Sequence, residues 1–428
     1  MLKALISLSQ YNAKDNSWFK RKISFSQFFF SNMTISLTDI PENVLADIFR
    51  KCDFLSIFVL RKVCHQFRNF IDDVKPCTDI KSIEVNVGIK KIILRINSYN
   101  VRGSAYVKYE DHPKGCVVSY HKQGMKLPPP APELPPVPTH SRLKLKECIH
   151  EGVEVMTAFS KDFEAVIGAQ RSKIEFFRVH LVCLRRPECP TRNSPMTRSN
   201  VFSKADRKTF GSVIPYTMFS NFDTPESFTL RVLNELERTL QSHKQLLRVE
   251  NFFMEVIQCK QLLQILPHID SQYLKSIEIS SPKIYPTEEL KMDKLVTLDQ
   301  WRQARKLELR SFYVSTPIIN FLHFNSAEVN IDSVCCEDLK TMQQAFISSE
   351  KFKRFKIAYN NFEGRENLVK TFGEAETNGK WYFWIFPIPG SENVLFLNVI
   401  LCHPHTICFT RCPESTPPQK GCVNCHYT

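Results

Sequence analysis

Two groups of cysteine and histidine residues have the types and spacing to do chemistry. Toward the C-terminus, Cys402, His403, His405, Cys408 and Cys412 precede Cys422, Cys425 and His426. Thiolate and imidazole donors this close together are the ligand types of a structural zinc site. The connecting "PESTPPQKG" is a short loop for a four-ligand site, and the whole spacing fits no common zinc module. A tail over 401–428 carrying reduced thiols is therefore the favoured reading, with zinc as its competitor. The second group, Cys64–His65, lies in "VLRKVCHQFRNFID", residues 59–72. Apolar residues recur there at helical spacing, which predicts a helix with Leu60, Val63, Cys64, Phe67, Phe70 and Ile71 facing inward. Adjacent residues on a helix point about 100° apart, so Cys64 and His65 cannot form a nucleophile–base hydrogen bond. Cys64 is expected to act as a small core residue and His65 to face solvent.

The remaining catalytic signatures are missing. Glycine is scarce, 12 in all, and no phosphate loop, H-E-x-x-H or G-x-S-x-G occurs. The chain is expected to be no enzyme in itself and to need no cofactor or metal.

Elements that position side chains come in distinct blocks. With 428 residues and 43% hydrophobic content, the chain has room for two to three packed domains. Its net charge of +13 sits in residues 1–36, 114–147 and 185–208, all linker-like. A nucleic-acid-binding domain places its basic stripe on a folded face, so nucleic acid is disfavoured as a partner. An odd count of 15 scattered cysteines fits the reducing cytosol or nucleus. No apolar run reaches the ~18 residues of a membrane span, so no membrane partner is expected.

Residues 1–35 read as a disordered leader. Residues 36–76 form a compact helical unit, with Pro41 in the first turn of a helix carrying Val44, Leu45, Ile48, Phe49 and Cys52 on one face. Residues 77–120 alternate and contain Gly88, Gly103 and Gly115 at turns, the pattern of short hairpin strands. The tract "LPPPAPELPPVP" makes 121–150 a proline-rich linker. Residues 155–183 and 216–400 repeat a helix-then-strand pattern, interrupted by a basic disordered insert at 184–215. Between Leu247 and Phe355 the repeat recurs at irregular intervals typical of stacked units. The expected fold class is α+β or α/β: three helices, a short-strand region, and an irregular leucine-rich-repeat-like array. Trp301 is expected to pack its helix onto the sheet, and "WYFWIFPIP", 381–389, to be a terminal core strand.

The helical unit resembles the F-box in Ile40–Pro41, Leu45, Ile48, Leu55, Leu60, Val63–Cys64 and Phe67–Arg68, although Cys52 stands where leucine is usual and Phe67 where many members have tryptophan. The repeat region is similar to the FTH domain of the nematode F-box A proteins, most specifically in "VTLDQWRQARKLELRS", residues 296–311. The resemblance implies docking to a Skp-type adaptor and, through it, to a cullin–RING ubiquitin ligase. The contact set it carries over is Ile40, Pro41, Leu45, Ile48, Leu55, Val63 and Phe67. It further implies a substrate-recognition subunit whose repeats hold a target protein for ubiquitin-dependent degradation. A non-ligase scaffold and a zinc- or nucleic-acid-binding protein are the alternatives.

Overall fold

A computed structural model describes residues 40–50, 52, 54–61, 63–74, 80–99, 104–123, 143–170, 172–181, 224–282, 289–402 and 405–415. The leader, the proline tract, the basic insert and Cys422, Cys425 and His426 lie outside these residues. The chain is mixed α/β: a helical unit with its own small core, and a body built on one large sheet.

In the helical unit, α1 (Glu42–Arg50), α2 (Phe54–Arg61) and α3 (His65–Val74) follow one another. The third helix begins later than its periodicity predicts. Leu60 lies in the last turn of α2, and Val63 and Cys64 belong to the turn that follows. Cys64 caps α3 instead of lying within it: its Sγ accepts the backbone N–H of Phe67 at 3.5 Å. Cys64 keeps its expected burial, because a turn residue beside the first helical turn can face the core as readily as a helical one; Val63, expected to face inward, is instead 42% exposed. Cys64 packs against the core and His65 is exposed.

Among the described residues, the body is one sheet of fifteen strands. Strands β1 (Ile80–Gly88), β2 (Lys91–Ser98), β3 (Ser104–His112), β4 (Gly115–Gln123) and β5 (Leu143–Glu151) form one antiparallel end. The β3–β4 turn requires glycine. Gly115 has φ +143°, and a Cβ there would stand 2.2 Å from the His150 carbonyl oxygen. The centre is parallel, running β1, β6 (Ile174–His180), β7 (Val249–Glu255), β8 (Ser276–Ser280), β9 (Lys306–Arg310), β10 (Ser326–Cys335) and β11 (Arg354–Glu363). Between these strands run α4 (Val155–Ala169), α5 (Pro225–Ser242), α6 (Cys259–Ile265), α7 (Asp299–Gln303), a 3-10 turn at Ile318–Phe321 and α8 (Cys336–Ser348). Each expected helix-then-strand pair is present in order. After α9 (Leu368–Phe372), strands β12 (Glu376–Thr377), β13 (Trp381–Pro387), β14 (Asn393–Ile400) and β15 (Thr406–Pro413) finish the sheet antiparallel.

Three boundaries differ from expectation. The short-strand region is no separate unit, because β1 pairs in parallel with β6 and continues the same sheet. Residues 121–123 and 143–150, expected as linker, lie within β4 and β5. The segment 401–428, expected as a tail, contributes β15, which inserts between β11 and β14.

Alternation explains the packing. On β8–β11, Ile277, Ile279, Leu307, Leu309, Ala327, Val329, Phe355 and Ile357 are buried, while the residues between them are not. The buried set shares one core with Leu262 and Ile265 of α6 and with Phe228, Val232, Leu233, Leu236 and Leu240 of α5. The α5 residues repeat every three to four positions, the period of one helix face. Its start is fixed by Thr224, whose Oγ1 accepts the Ser227 N–H at 3.2 Å, with Pro225 in the first turn.

Candidate functional site

The helical unit has little interior. Leu45 and Phe49, one turn apart on α1, meet Ile57 and Leu60 of α2 and Phe67 and Ile71 of α3. Phe49 stands edge-on to Phe67 (centroids 6.2 Å apart) and Phe70 (5.5 Å). Arg61 donates through Nε and Nη2 to the two carboxylate oxygens of Asp72, at 2.7 and 3.0 Å, tying α2 to α3. That hydrogen bonding raises the guanidinium pKa further. Periodicity cannot show this clamp, since its partners lie eleven residues apart on different helices.

The seven expected contact residues divide. Leu45 and Phe67 belong to the internal core, at 5% and 3% exposure. Ile40 and Ile48 are half-buried against it. Pro41 and Val63 are exposed, and the Leu55 side chain lies outside the described ones. Val44, expected on the inner face, is instead 44% exposed. Pro41, Val44 and Ile48 recur at i, i+3 and i+7 and so share one side of α1. The structure therefore leaves Pro41, Val44 and Val63 exposed and Ile48 partly covered, an apolar strip along α1 and at the α2–α3 turn.

In the body, the Gln300–Trp301 pair joins successive repeats. Gln300 Nε2 donates backward to the Ile269 carbonyl at 2.7 Å and the Pro267 carbonyl at 3.3 Å. Trp301, 1% exposed, donates forward through Nε1 to the Asn320 carbonyl at 3.1 Å. Its ring meets Phe321 and Phe324 edge-on at 5.9 and 5.1 Å. Trp301 is thus a junction residue with no free surface for a ligand.

The sheet face away from α5 and α6 is polar and charged. Glu278, Glu308 and Glu328 are register neighbours on β8, β9 and β10. Lys306 reaches Glu308 at 2.7 Å, Arg310 reaches Glu278 at 3.3 Å, and Lys356 reaches Glu328 at 2.8 Å. Burial pushes the Glu278 carboxyl up. Burial acts on Glu308 in the same direction, but hydrogen bonds from Lys306 and Arg310 outweigh it and hold that carboxyl low. Such a face offers hydrogen-bonding and charge contacts.

His403, Cys422, Cys425 and His426 lie outside the described residues, and the described members of the Cys/His group do not share one site. Cys408 and Cys412 lie on one strand, four residues and so about 13 Å apart. Thiolates sharing a zinc ion stand within about 4 Å of each other, given Zn–S bonds near 2.3 Å. Cys408 is buried beside Thr410, and Cys412 packs with Phe383, Val394 and Phe396. No cluster of three or more potential ligands occurs among the described residues.

Thiol accessibility checks this placement. Iodoacetamide should modify Cys402, which is exposed, well before Cys408 or Cys116 in the native protein. Burial also pushes the Cys116 thiol up to about 11, so little reactive thiolate is present at neutral pH. Peptide mass spectrometry over time reads the order, and equal rates for the three would contradict the burial of β4 and β15.

The F-box domain family matches residues 37–79, and the FTH domain family matches residues 230–375. The first match spans α1–α3. The second begins within α5 and ends after α9, so the sheet extends beyond it on both sides. No curated protein and no solved structure matches the chain.

Proposed function

We propose that this chain, an F-box protein with a C-terminal FTH domain, is the substrate-recognition subunit of a Skp–cullin–F-box ubiquitin ligase. The observation that carries the reading is the F-box match together with the apolar strip of Pro41, Val44 and Ile48 and the neighbouring Val63. A unit of about 40 residues cannot bury all its apolar surface alone, and a strip left on its outside is what a partner covers. Within the expected contact set, Pro41, Ile48 and Val63 are the direct contacts, Val44 joins them, and Leu45 and Phe67 act through the internal core. The body, read as a leucine-rich-repeat-like array, holds the target protein. The chain then works by proximity: it raises the effective concentration of target lysines near the conjugating enzyme and performs no bond chemistry itself. It acts where that ligase does, in cytosol or nucleus.

Affinity purification of the full chain from a native extract, beside a variant lacking residues 37–79, tests the reading. Adaptor and cullin should be lost together from the variant, with body-bound proteins retained. Capture of target-like partners with no adaptor by the intact chain would replace the ligase reading with that of a scaffold.

A further inference from the structure

The N-terminal edge of the parallel strands carries a row of cations. Lys275, Arg305 and Lys353 each stand immediately before a strand, β8, β9 and β11, with Asn325 in the same place before β10. The backbone ladder holds them in line: Arg305 N donates to Lys275 O (2.9 Å), Asn325 N to Arg305 O (2.8 Å), and Lys353 N to Asn325 O (2.8 Å). Lys173 and Arg248 occupy the equivalent places before β6 and β7. All five cations are exposed.

Their counter-charge is incomplete. Glu250 is shared by Lys173 at 2.7 Å and Lys275 at 2.5 Å, one carboxylate for two ammonium groups. Those hydrogen bonds hold its carboxyl below the usual range. Among the described residues Arg248, Arg305 and Lys353 make no ion pair; Arg248 lies over the Tyr273 ring at 5.2 Å. Arg411, next in the row, shows what a structural role looks like here: it donates to the Ser349 and Ile347 carbonyls at the end of α8, at 2.6 and 3.0 Å. Among the described residues Arg305 and Lys353 make no such side-chain bonds. Lys275 and Arg305 precede neighbouring strands, where like charges repel and Glu250 offsets only the first.

We propose that this rim docks an extended acidic segment of a target polypeptide, an inference that rests on the target-binding role given to the body above. From β6 to β11 the rim crosses five inter-strand steps, about 24 Å, which matches about seven extended residues. A polypeptide fits better than nucleic acid. Nucleic-acid grooves add free aromatic stacking platforms to their cations, whereas Tyr273 is already covered by Arg248. Glu250 also stands within the rim, where a continuous phosphate backbone would be repelled but a peptide can place a neutral residue.

The test is fluorescence anisotropy of a labelled hepta-glutamate peptide titrated with the full chain, at about 50 and 300 mM salt, spanning strong to weak screening. Arg305→Glu/Lys353→Glu should weaken binding by about tenfold or more, and salt should weaken the wild type. Lys340→Glu/Lys370→Glu changes net charge equally, on exposed residues of α8 and α9, and should bind within about twofold of wild type. Should the charge reversal impair folding, Arg305→Gln/Lys353→Gln reads the same contacts and should have an unchanged or higher Tm. Equal loss in both double variants, no binding at the lower salt, or tighter binding of a single-stranded oligonucleotide of equal charge would overturn the proposal. Adaptor capture by the rim variants should stay at the wild-type level, so failure here leaves the ligase reading standing.

Discussion

Trp301→Ala should destabilise the sheet body by about 3–5 kcal/mol, the usual cost of emptying a large aromatic site. Three losses combine. The indole leaves a void between Phe321 and Phe324, two edge-on ring contacts vanish, and the Asn320 carbonyl loses its donor. The affected junction couples the repeat before α7 to the one after it, so the damage should spread along the parallel strands, as nearest-neighbour terms hold such arrays together. The F-box core shares no residue with the body core, so adaptor capture should survive while target retention and the main thermal transition are lost. Trp301→Phe should recover part of the stability, keeping ring packing without the hydrogen bond. Denaturation by circular dichroism, alongside adaptor pull-down, measures both halves. A Trp301→Ala protein that melts as wild type would mean that the junction is held by other contacts and that the indole contributes little to it.

The parts of the fold visible in advance are those encoded locally. Helix and strand periods from Phe159 to Tyr359 mark every repeat, because each unit turns an apolar stripe toward the same core. The QW pair is legible as a packed element for the same reason: a tryptophan in a short amphipathic helix has few other uses. Non-local pairing is not encoded that way. Nothing within "TICFTRCP" tells that Thr406–Pro413 inserts between β11 and β14, and its cysteines draw attention toward metal chemistry. The parallel β1–β6 pairing links segments nearly a hundred residues apart, which a hairpin pattern on one side cannot reveal. In the F-box, helical spacing overextended α3, because a capping thiol at Cys64 keeps the apolar rhythm while the backbone turns. For the expected contact set, Leu45 and Phe67 lie in the internal core, whereas Val44, expected inward, is exposed.

That distinction decides how the adaptor surface should be probed. Phe67→Glu would bury an unpaired carboxylate in a six-residue core and is expected to unfold the F-box, so loss of binding would say nothing about contact. Val44 and Val63 are 44% and 42% exposed, so charges placed there stay hydrated. Val44→Glu/Val63→Glu should leave the F-box folded; Val44 lies in the first turns of α1, where an added carboxylate also complements the helix N-terminus. Against an apolar adaptor groove the same charges must be desolvated without partners, and central interface positions typically cost over ~1 kcal/mol each. Adaptor affinity should therefore fall by one to two orders of magnitude, at about 1.4 kcal/mol per tenfold. His65→Ala serves as the control: the ring is exposed at the first position of α3, it lies outside the α1 strip, and its removal should change affinity less than about threefold. Calorimetric titration with purified adaptor gives the affinities, and the helical signal of the isolated mixture confirms folding. If the double glutamate variant keeps its helices and binds as the wild type does, the strip on α1 is not the adaptor surface and the ligase assignment loses its structural support.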